Sequence, residues 1–204
     1  MDDIRKKVLG RQDPIVNEKL KNAKVSVLGC GGLGSNIAMT LARAGVGELY
    51  LYDFDTIEYS NLNRQNFTLD ELGGDKALLT KKKIESTLPY VKCHNQNIYL
   101  TTENMDTIAH KTNIFIEAFD NKESKTMLFD YFVGRKDKYL ISGTGVSGLG
   151  ELSDIKIKQI DNVTLIGDFT SNPDEGLYLA YVGIIANLEA LTAIKILTGD
   201  YNGK

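Results

Sequence analysis

The sequence predicts a doubly wound α/β fold, with a mainly parallel sheet and an antiparallel C-terminal extension. Three observations support this prediction. Short β-branched runs alternate with helix-like stretches from residue 24 onward, and a glycine-rich loop joins the first run to the first helix. Near the C-terminus, two further strand-like runs follow each other without a helix between them. Ligands of such sheets sit at the carboxyl ends of the parallel strands.

The first part of the chain supplies the parallel strands and their covering helices. Strand-like runs span residues 24–28, 48–53 and 113–118, with a weaker candidate at 91–98, and helix-like stretches span 35–44 and 76–88. Gly45 and Gly47 mark the turn after the first helix, and Pro89 ends the second.

The pattern changes after Leu140. Glycines crowd a loop at positions 143, 145, 148 and 150, and residues 151–160 and 163–166 are then predicted to be strands. The apolar stretch 177–197 is as long as a membrane span, but Asn187, Glu189 and Lys195 interrupt it. We therefore expect a buried helix that packs back on the sheet, and no association with a membrane.

Length and composition suit one domain over residues 1–204, in which residues 1–22 form an N-terminal arm. The net charge of −3 argues against a nucleic-acid partner. The N-terminal residues lack the apolar run of a secretory signal, which predicts a cytoplasmic protein. Cys30, Cys93 and two scattered histidines do not match a zinc site, so no zinc is expected.

The glycine loop at residues 29–34 has the sequence context of a phosphate-binding loop. Gly29, Gly31, Gly32 and Gly34 follow one strand and precede one helix, where backbone N–H groups face phosphates. Asp53 closes the next strand, at the spacing of an acid that binds ribose hydroxyls. Up to this point, an NAD-dependent dehydrogenase fits the sequence equally well.

The next segment separates these possibilities. It contains Ser60, Asn61, Leu62, Asn63, Arg64 and Gln65 in direct succession. Residues 29–65 thereby resemble the ThiF/MoeB/ubiquitin-activating enzyme superfamily, which has a glycine loop, an acid ending the second strand and an S-N-L-x-R-Q segment. The resemblance implies a Rossmann-like domain that binds ATP and Mg²⁺. It further implies that Ser60, Asn61, Asn63, Arg64 and Gln65 surround the ATP, with Asn61 and Arg64 on its phosphates.

Further positions extend the resemblance. Lys76 follows two glycines at a helix start, as in the G-x-x-K element of the family, and is expected to contact the phosphates; the alternative is a solvated surface lysine. Asp120 and Asn121 match the family's D-N pair. The resemblance makes Asp120 the Mg²⁺ ligand and Asn121 part of the nucleotide site, whereas a capping aspartate is the alternative. The closing residues 183–199 are similar to the last helix of the family.

Two departures from the family pattern refine the expected activity. The chain lacks paired C-x-x-C zinc motifs and any cysteine after Cys93, so we expect the reaction to stop at the acyl-adenylate. The N-terminal R-Y-x-R-Q signature is altered, and Arg11 is the candidate for the arginine that reaches the ATP of a partner subunit, with Arg5 as second choice. The altered signature resembles the compact ThiF-like sulfur-carrier adenylyltransferases of thiamine biosynthesis.

The resemblance thus implies ATP-dependent adenylation of a ThiS-like carrier protein ending in Gly-Gly, by a homodimer. Three other functions remain open. They are activation of a MoaD-type carrier, tRNA threonylcarbamoyladenosine dehydration, and a non-catalytic partner subunit that binds ATP. Retention of Arg64, Lys76 and Asp120 together disfavours the last of these.

Overall fold

The computed structural model describes residues 2–201 as helices packed around one seven-stranded sheet. The strands run in the order β3-β2-β1-β4-β5-β7-β6, and every neighbouring pair is parallel except β6 and β7. Their bounds are β1 Lys24–Leu28, β2 Glu48–Asp53, β3 Lys92–Asn97, β4 Ile114–Glu117, β5 Tyr139–Gly143, β6 Lys156–Ile160 and β7 Val163–Gly167. The predicted doubly wound, mainly parallel α/β fold is confirmed.

Helices cover both faces of the sheet. They are α1 Asp2–Val8, α2 Pro14–Lys21, α3 Gly34–Ala44, α4 Lys76–Thr87, α5 Met105–Ala109, α6 Lys122–Phe132 and α7 Leu179–Thr198. Val25 and Val27 of β1 join a core cluster with α3, α4 and α7, whereas Leu28 joins a second cluster with α5 and α6. This alternation follows from the two-residue period of a strand, which turns successive side chains to opposite faces of the sheet.

The C-terminal part of the sheet differs from the expectation in three ways. Sequence analysis missed β5, a short buried strand that ends at Gly143, the first glycine of the second glycine-containing loop (residues 143–150). β6 begins only at Lys156, because residues Leu152–Asp154 form a 3-10 helix. β7 pairs antiparallel with β6, as expected, but also parallel with β5. The missed β5 and the wrong start of β6 both come from strands that are too short to show a clear period.

Helix α7 packs on the sheet as predicted, but it is only partly buried. Tyr181, Ile185 and Ala190 face the core, whereas Ile184 and Leu191 on the opposite face are 38% and 47% exposed. In the described part of the chain, α7 is the one helix long and apolar enough to cross a membrane. Its contacts with α3, β5 and β7 are those of a core helix.

The N-terminal arm forms two helices at the amino edge of the sheet. Asp13 caps α2 by accepting hydrogen bonds from the N–H groups of Ile15 and Val16, and Pro14 occupies the first helical position. Leu9 packs against Gly45, in the turn that leads into β2. The arm is therefore on the side of the sheet opposite the glycine loop.

Candidate active site

The glycine-rich loop joins the carboxyl end of β1 to the first turn of α3. Gly29 has a φ of +100°, and a β-carbon there would lie 2.9 Å from the carbonyl oxygen of Ala118. A β-carbon on Gly34 would lie 1.8 Å from the carbonyl oxygen of Gly29. Only glycine fits these two positions, so the loop can turn tightly and bring its backbone close to a ligand.

Backbone N–H groups at the start of α3 are available to an anion. Within residues 2–201, no acceptor is recorded for the N–H groups of Gly31, Gly32 or Leu33, and no side chain caps the helix. The N-terminus of a helix carries a partial positive charge, which adds to the attraction of these donors for phosphate. The geometry thus matches a phosphate-binding loop.

Asp53 ends β2 directly beside this loop. Its Oδ2 accepts a hydrogen bond from the N–H of Cys30 at 2.5 Å, and its Oδ1 accepts one from the N–H of Asp55 at 2.8 Å. Burial raises the pKa of Asp53, and these hydrogen bonds and the nearby Lys76 only partly offset the rise. Each carboxylate oxygen has a second lone pair, so Asp53 can also accept hydrogen bonds from ribose hydroxyls.

Arg64 folds back over the glycine loop. Its Cγ, Cδ and Nε atoms lie 3.4 Å from the position of a β-carbon on Gly32. Its Nη1 donates to the carbonyl oxygen of Ser60 at 2.8 Å and to Oδ1 of Asn63 at 2.9 Å. Because both acceptors are neutral, the guanidinium charge remains for an anionic ligand.

Ser35 and Asn36 tie this segment to the loop, and sequence analysis missed both. Nδ2 of Asn36 donates to the carbonyl oxygens of Gly32 at 2.6 Å and Arg64 at 3.0 Å. The hydroxyl of Ser35 donates to the carbonyl oxygen of Gly31 and accepts from the N–H of Asn66. No sequence signal distinguished them from ordinary polar residues in a first helical turn.

Three other residues of the segment make contacts within the protein. Oδ1 of the buried Asn61 accepts from the N–H of Glu58 at 3.1 Å, which shapes a short 3-10 helix. Nδ2 of Asn63 donates to the carbonyl oxygen of Leu177. Gln65 is buried beside Gly31, and its Oε1 has no hydrogen-bond partner among the described residues. The assignment of these side chains to ATP stays a prediction.

Lys76 is buried and ion-paired. Its Nζ lies 2.9 Å from Oδ2 of Asp55, a residue that sequence analysis did not single out. Asp75 caps α4 by accepting from the N–H of Leu78, which places Lys76 at the first helical position. Lys76 is therefore not one more solvated lysine, and Asp55 holds its ammonium beside Asp53.

Asp120 and Asn121 lie between β4 and α6, at the same edge of the sheet. Asn121 caps α6, because its Oδ1 accepts from the N–H of Ser124 at 2.8 Å. The alternative that Asp120 is the capping residue is therefore wrong. Asp120 is exposed, and residues 2–201 show no hydrogen bond or ion pair to its carboxylate. Ala118 of the same loop contacts Gly29 and Gly34.

Arg11 lies apart from these residues. It is exposed in the turn between α1 and α2, and that arm packs at the amino edge of the sheet. Arg5 is buried, and its guanidinium donates to the carbonyl oxygen of Gly45 and lies 5.2 Å from the ring of Tyr90. Arg5 is thus occupied within its own chain, which favours Arg11 over Arg5; a role for Arg11 at a second subunit stays a prediction.

The structure connects the glycine loop, Asp53, Arg64 and Lys76 through the contacts above, and the loop of Asp120 borders them. In the described part of the chain, no group of three or more His, Cys, Asp or Glu side chains is arranged to hold a metal.

Comparisons with known proteins identify the family of the chain. A family model described as the ThiF family matches residues 6–204. The adenylyltransferase and sulfurtransferase MOCS3 of Dictyostelium discoideum is 31% identical over 192 residues, which cover 90% of this chain but 45% of the relative. The chain thus spans less than half the length of that relative. The sulfur carrier protein adenylyltransferase of Thermus thermophilus is 28% identical over 96% of this chain and 76% of its own length.

A solved structure shares the fold over nearly the whole chain. It is the E. coli tRNA N6-threonylcarbamoyladenosine dehydratase in complex with AMP, with a TM-score of 0.84 and 19% sequence identity. The match covers 95% of this chain and 93% of that chain.

Proposed function

Because the chain belongs to the ThiF family, we propose that it uses ATP to adenylate the C-terminal glycine carboxylate of a sulfur-carrier protein. The observation that carries this proposal is the convergence of the glycine loop, Asp53, Arg64, Lys76 and Asp120 on one edge of the sheet. The relatives that are named as adenylyltransferases also support carrier adenylation.

The chemistry requires little acid–base catalysis. A carboxylate oxygen of the carrier forms a bond to the α-phosphorus of ATP, the bond from that phosphorus to the bridging oxygen breaks, and pyrophosphate leaves with the electron pair. The attacking carboxylate is already an anion at neutral pH. The protein must therefore position two anions and stabilise the developing charge, which is the work of cations and backbone N–H groups.

The residues suit these tasks. The N–H groups of residues 31–33 and the side chains of Arg64 and Lys76 would bind phosphates, and Asp53 would bind the ribose. Asn61, Gln65 and Asn121 would complete the nucleotide site. The AMP complex of the E. coli dehydratase supports nucleotide binding at this fold.

Asp120 would hold Mg²⁺ together with the phosphates of ATP. An exposed carboxylate without a hydrogen bond or ion pair to residues 2–201 fits this role, because protein-bound Mg²⁺ takes one or two carboxylates and otherwise substrate oxygens and water. When bound, Mg²⁺ would neutralise charge on the leaving pyrophosphate.

The active form would be a homodimer in which Arg11 of one subunit reaches the site of the other. Arg11 is exposed on the arm that packs at the other edge of the sheet from its own glycine loop, which disfavours a role within the same chain. The exposed apolar face of α7 would supply part of the subunit interface. An arginine from a neighbouring chain can stabilise charge in phosphoryl transfer.

The carrier would be ThiS-like and end in Gly-Gly, which places the reaction in thiazole formation for thiamine, in the cytoplasm. The altered N-terminal signature supports this pathway over a MoaD-type carrier. The fold match to a tRNA dehydratase keeps RNA as the second candidate substrate, although the net charge of −3 disfavours it.

ATP–pyrophosphate exchange tests the proposal directly. We expect exchange with a Gly-Gly carrier and none with the same carrier truncated by its terminal glycines, because the truncation removes the nucleophile. Exchange that is undiminished with the truncated carrier, or stimulated instead by tRNA, would contradict carrier adenylation.

A further inference from the structure

A buried carboxylate lies beneath the loop that carries Asp120. Glu117 ends β4, is fully buried, and accepts a hydrogen bond from the N–H of Phe119 at 2.6 Å on Oε1. Nζ of Lys125 lies 3.1 Å from Oε1 and 2.8 Å from Oε2, and the hydroxyl of Ser142 donates to Oε2. A buried carboxylate is costly unless it is paired and hydrogen-bonded, and this one is both.

These contacts clamp the β4–α6 loop at its two ends. The bond from Phe119 to Glu117 fixes the start of the loop, and Lys125 returns from the first turns of α6 to the same carboxylate. Lys125 also donates to the carbonyl oxygen of Gly143 at 2.8 Å, which anchors the clamp to β5. Asp120 lies between the clamped ends, with its carboxylate exposed.

A second buried acid, Glu189, lies near Lys125. Glu189 of α7 is fully buried, and neither of its carboxyl oxygens has a hydrogen-bond partner in the described part of the chain. Burial raises the pKa of Glu189 well above its usual range, with Glu117 adding to the rise and Lys125 opposing it. The ammonium of Lys125 thus interacts with two buried acids, Glu117 and Glu189.

We propose that Glu117 and Lys125 are positioning residues that hold Asp120 where it binds Mg²⁺ together with ATP. The inference rests on the proposed function, since that function assigns the metal to Asp120. Neither residue needs to touch the metal. Partners that orient a metal ligand typically contribute about 10- to 100-fold to metal affinity.

The decisive variant is Lys125→Met, which removes the charge and keeps much of the side-chain length. Lys83→Met is the matched control, because Lys83 pairs with Glu71 at 2.7 Å and its side chain is 23% exposed, against 27% for Lys125. ATP binding is measured by calorimetry at graded Mg²⁺ concentrations, which requires no carrier. We expect Lys125→Met to need roughly tenfold more Mg²⁺ for tight ATP binding, and Lys83→Met to match the wild type.

Two further variants keep the proposal testable if Lys125→Met does not fold. Ser142→Ala removes one hydrogen bond to Glu117 and no charge, and we expect a shift of roughly threefold in the same direction. Lys125→Arg keeps the charge and should restore most of the wild-type Mg²⁺ dependence. An unchanged Mg²⁺ dependence in folded Lys125→Met or in Ser142→Ala, or an equal shift in Lys83→Met, would overturn the proposal.

The same measurements separate this inference from the function on which it rests. If the wild type binds ATP with Mg²⁺ but shows no exchange with any carrier, carrier adenylation fails while the Mg²⁺ titrations still decide the role of Glu117 and Lys125. If exchange works but the titrations show no shift, only the positioning role fails.

Discussion

The exposed side chain of Asp120 leads to a prediction about a single residue. Its carboxylate contributes no recorded contact to the fold within residues 2–201, so its removal should affect ligand binding and leave stability unchanged. We expect Asp120→Ala to lower exchange by on the order of 10²-fold, with an unchanged melting temperature. Asp130→Ala, an exposed acid on the same α6, is the control. Normal turnover of Asp120→Ala at ordinary Mg²⁺ would show that the metal assignment is wrong.

The two cysteines provide a second prediction at this scale. Cys30 and Cys93 are buried, and desolvation raises the pKa of Cys30 well above its ordinary value and that of Cys93 to about 12. Neither thiol is a nucleophile at neutral pH, because only the thiolate reacts. The double variant Cys30→Ala, Cys93→Ala should therefore keep exchange within about twofold, although the buried volume it loses lowers stability by about 1–3 kcal/mol. Loss of exchange in a folded double variant would implicate a thiol in adenylate formation.

Among the secondary-structure elements, Glu48 of β2 links the neighbouring strands β1 and β3 by its side-chain contacts. Its side chain, 15% exposed, accepts hydrogen bonds from Tyr50 at 2.8 Å and His94 at 2.7 Å, and pairs with Lys24 and Lys92 at 3.3 Å. Desolvation alone would raise the pKa of Glu48, but these partners outweigh it and lower the pKa to about 2. The three strands thus share one carboxylate.

The lowered pKa predicts a specific loss of stability in acid. The pKa of Glu48 is lower in the folded state than its ordinary value of 4.5 in the unfolded state. The ionised Glu48 therefore makes its full contribution to the free energy of unfolding above about pH 5. It should disappear as the pH falls from about 5 to about 2 and amount to about 1–3 kcal/mol. Glu48→Gln should lose this pH dependence in denaturant titrations, whereas Glu103→Gln, at an exposed position, should keep it. Parallel curves for Glu48→Gln and the wild type would refute the assignment.

At the scale of the whole molecule, the position of Arg11 leads to a prediction about assembly. Arg11→Ala and Asp120→Ala homodimers should each be nearly inactive. Random re-pairing makes about half the dimers mixed, each with one complete site of two, so roughly a quarter of wild-type activity should return. Lys6→Ala, an exposed change on the same arm, should be fully active. If verified mixed dimers recover nothing, Arg11 does not act across the interface.

The features that depend on residues close together in the sequence could be predicted. The glycine spacing, the acid at the end of β2 and the long α7 all follow from short-range rules, and their predicted positions agree with the structure. β5 and the clamp at Glu117 were not predicted. A five-residue strand beside a glycine-rich loop has no clear period, and a pair such as Glu117 and Lys125 acquires its meaning only when the chain brings its members together with Ser142.

The α/β fold, the glycine loop and the family could be predicted from the amino-acid sequence, because each depends on residues close together along the chain. The pairing of Lys76 with Asp55, the capping of α6 by Asn121 in place of Asp120, and the burial of Arg5 became clear only from the folded chain. These outcomes depend on which groups meet across strands and helices distant in sequence. Burial and hydrogen bonding in the folded state, which local patterns do not encode, set them.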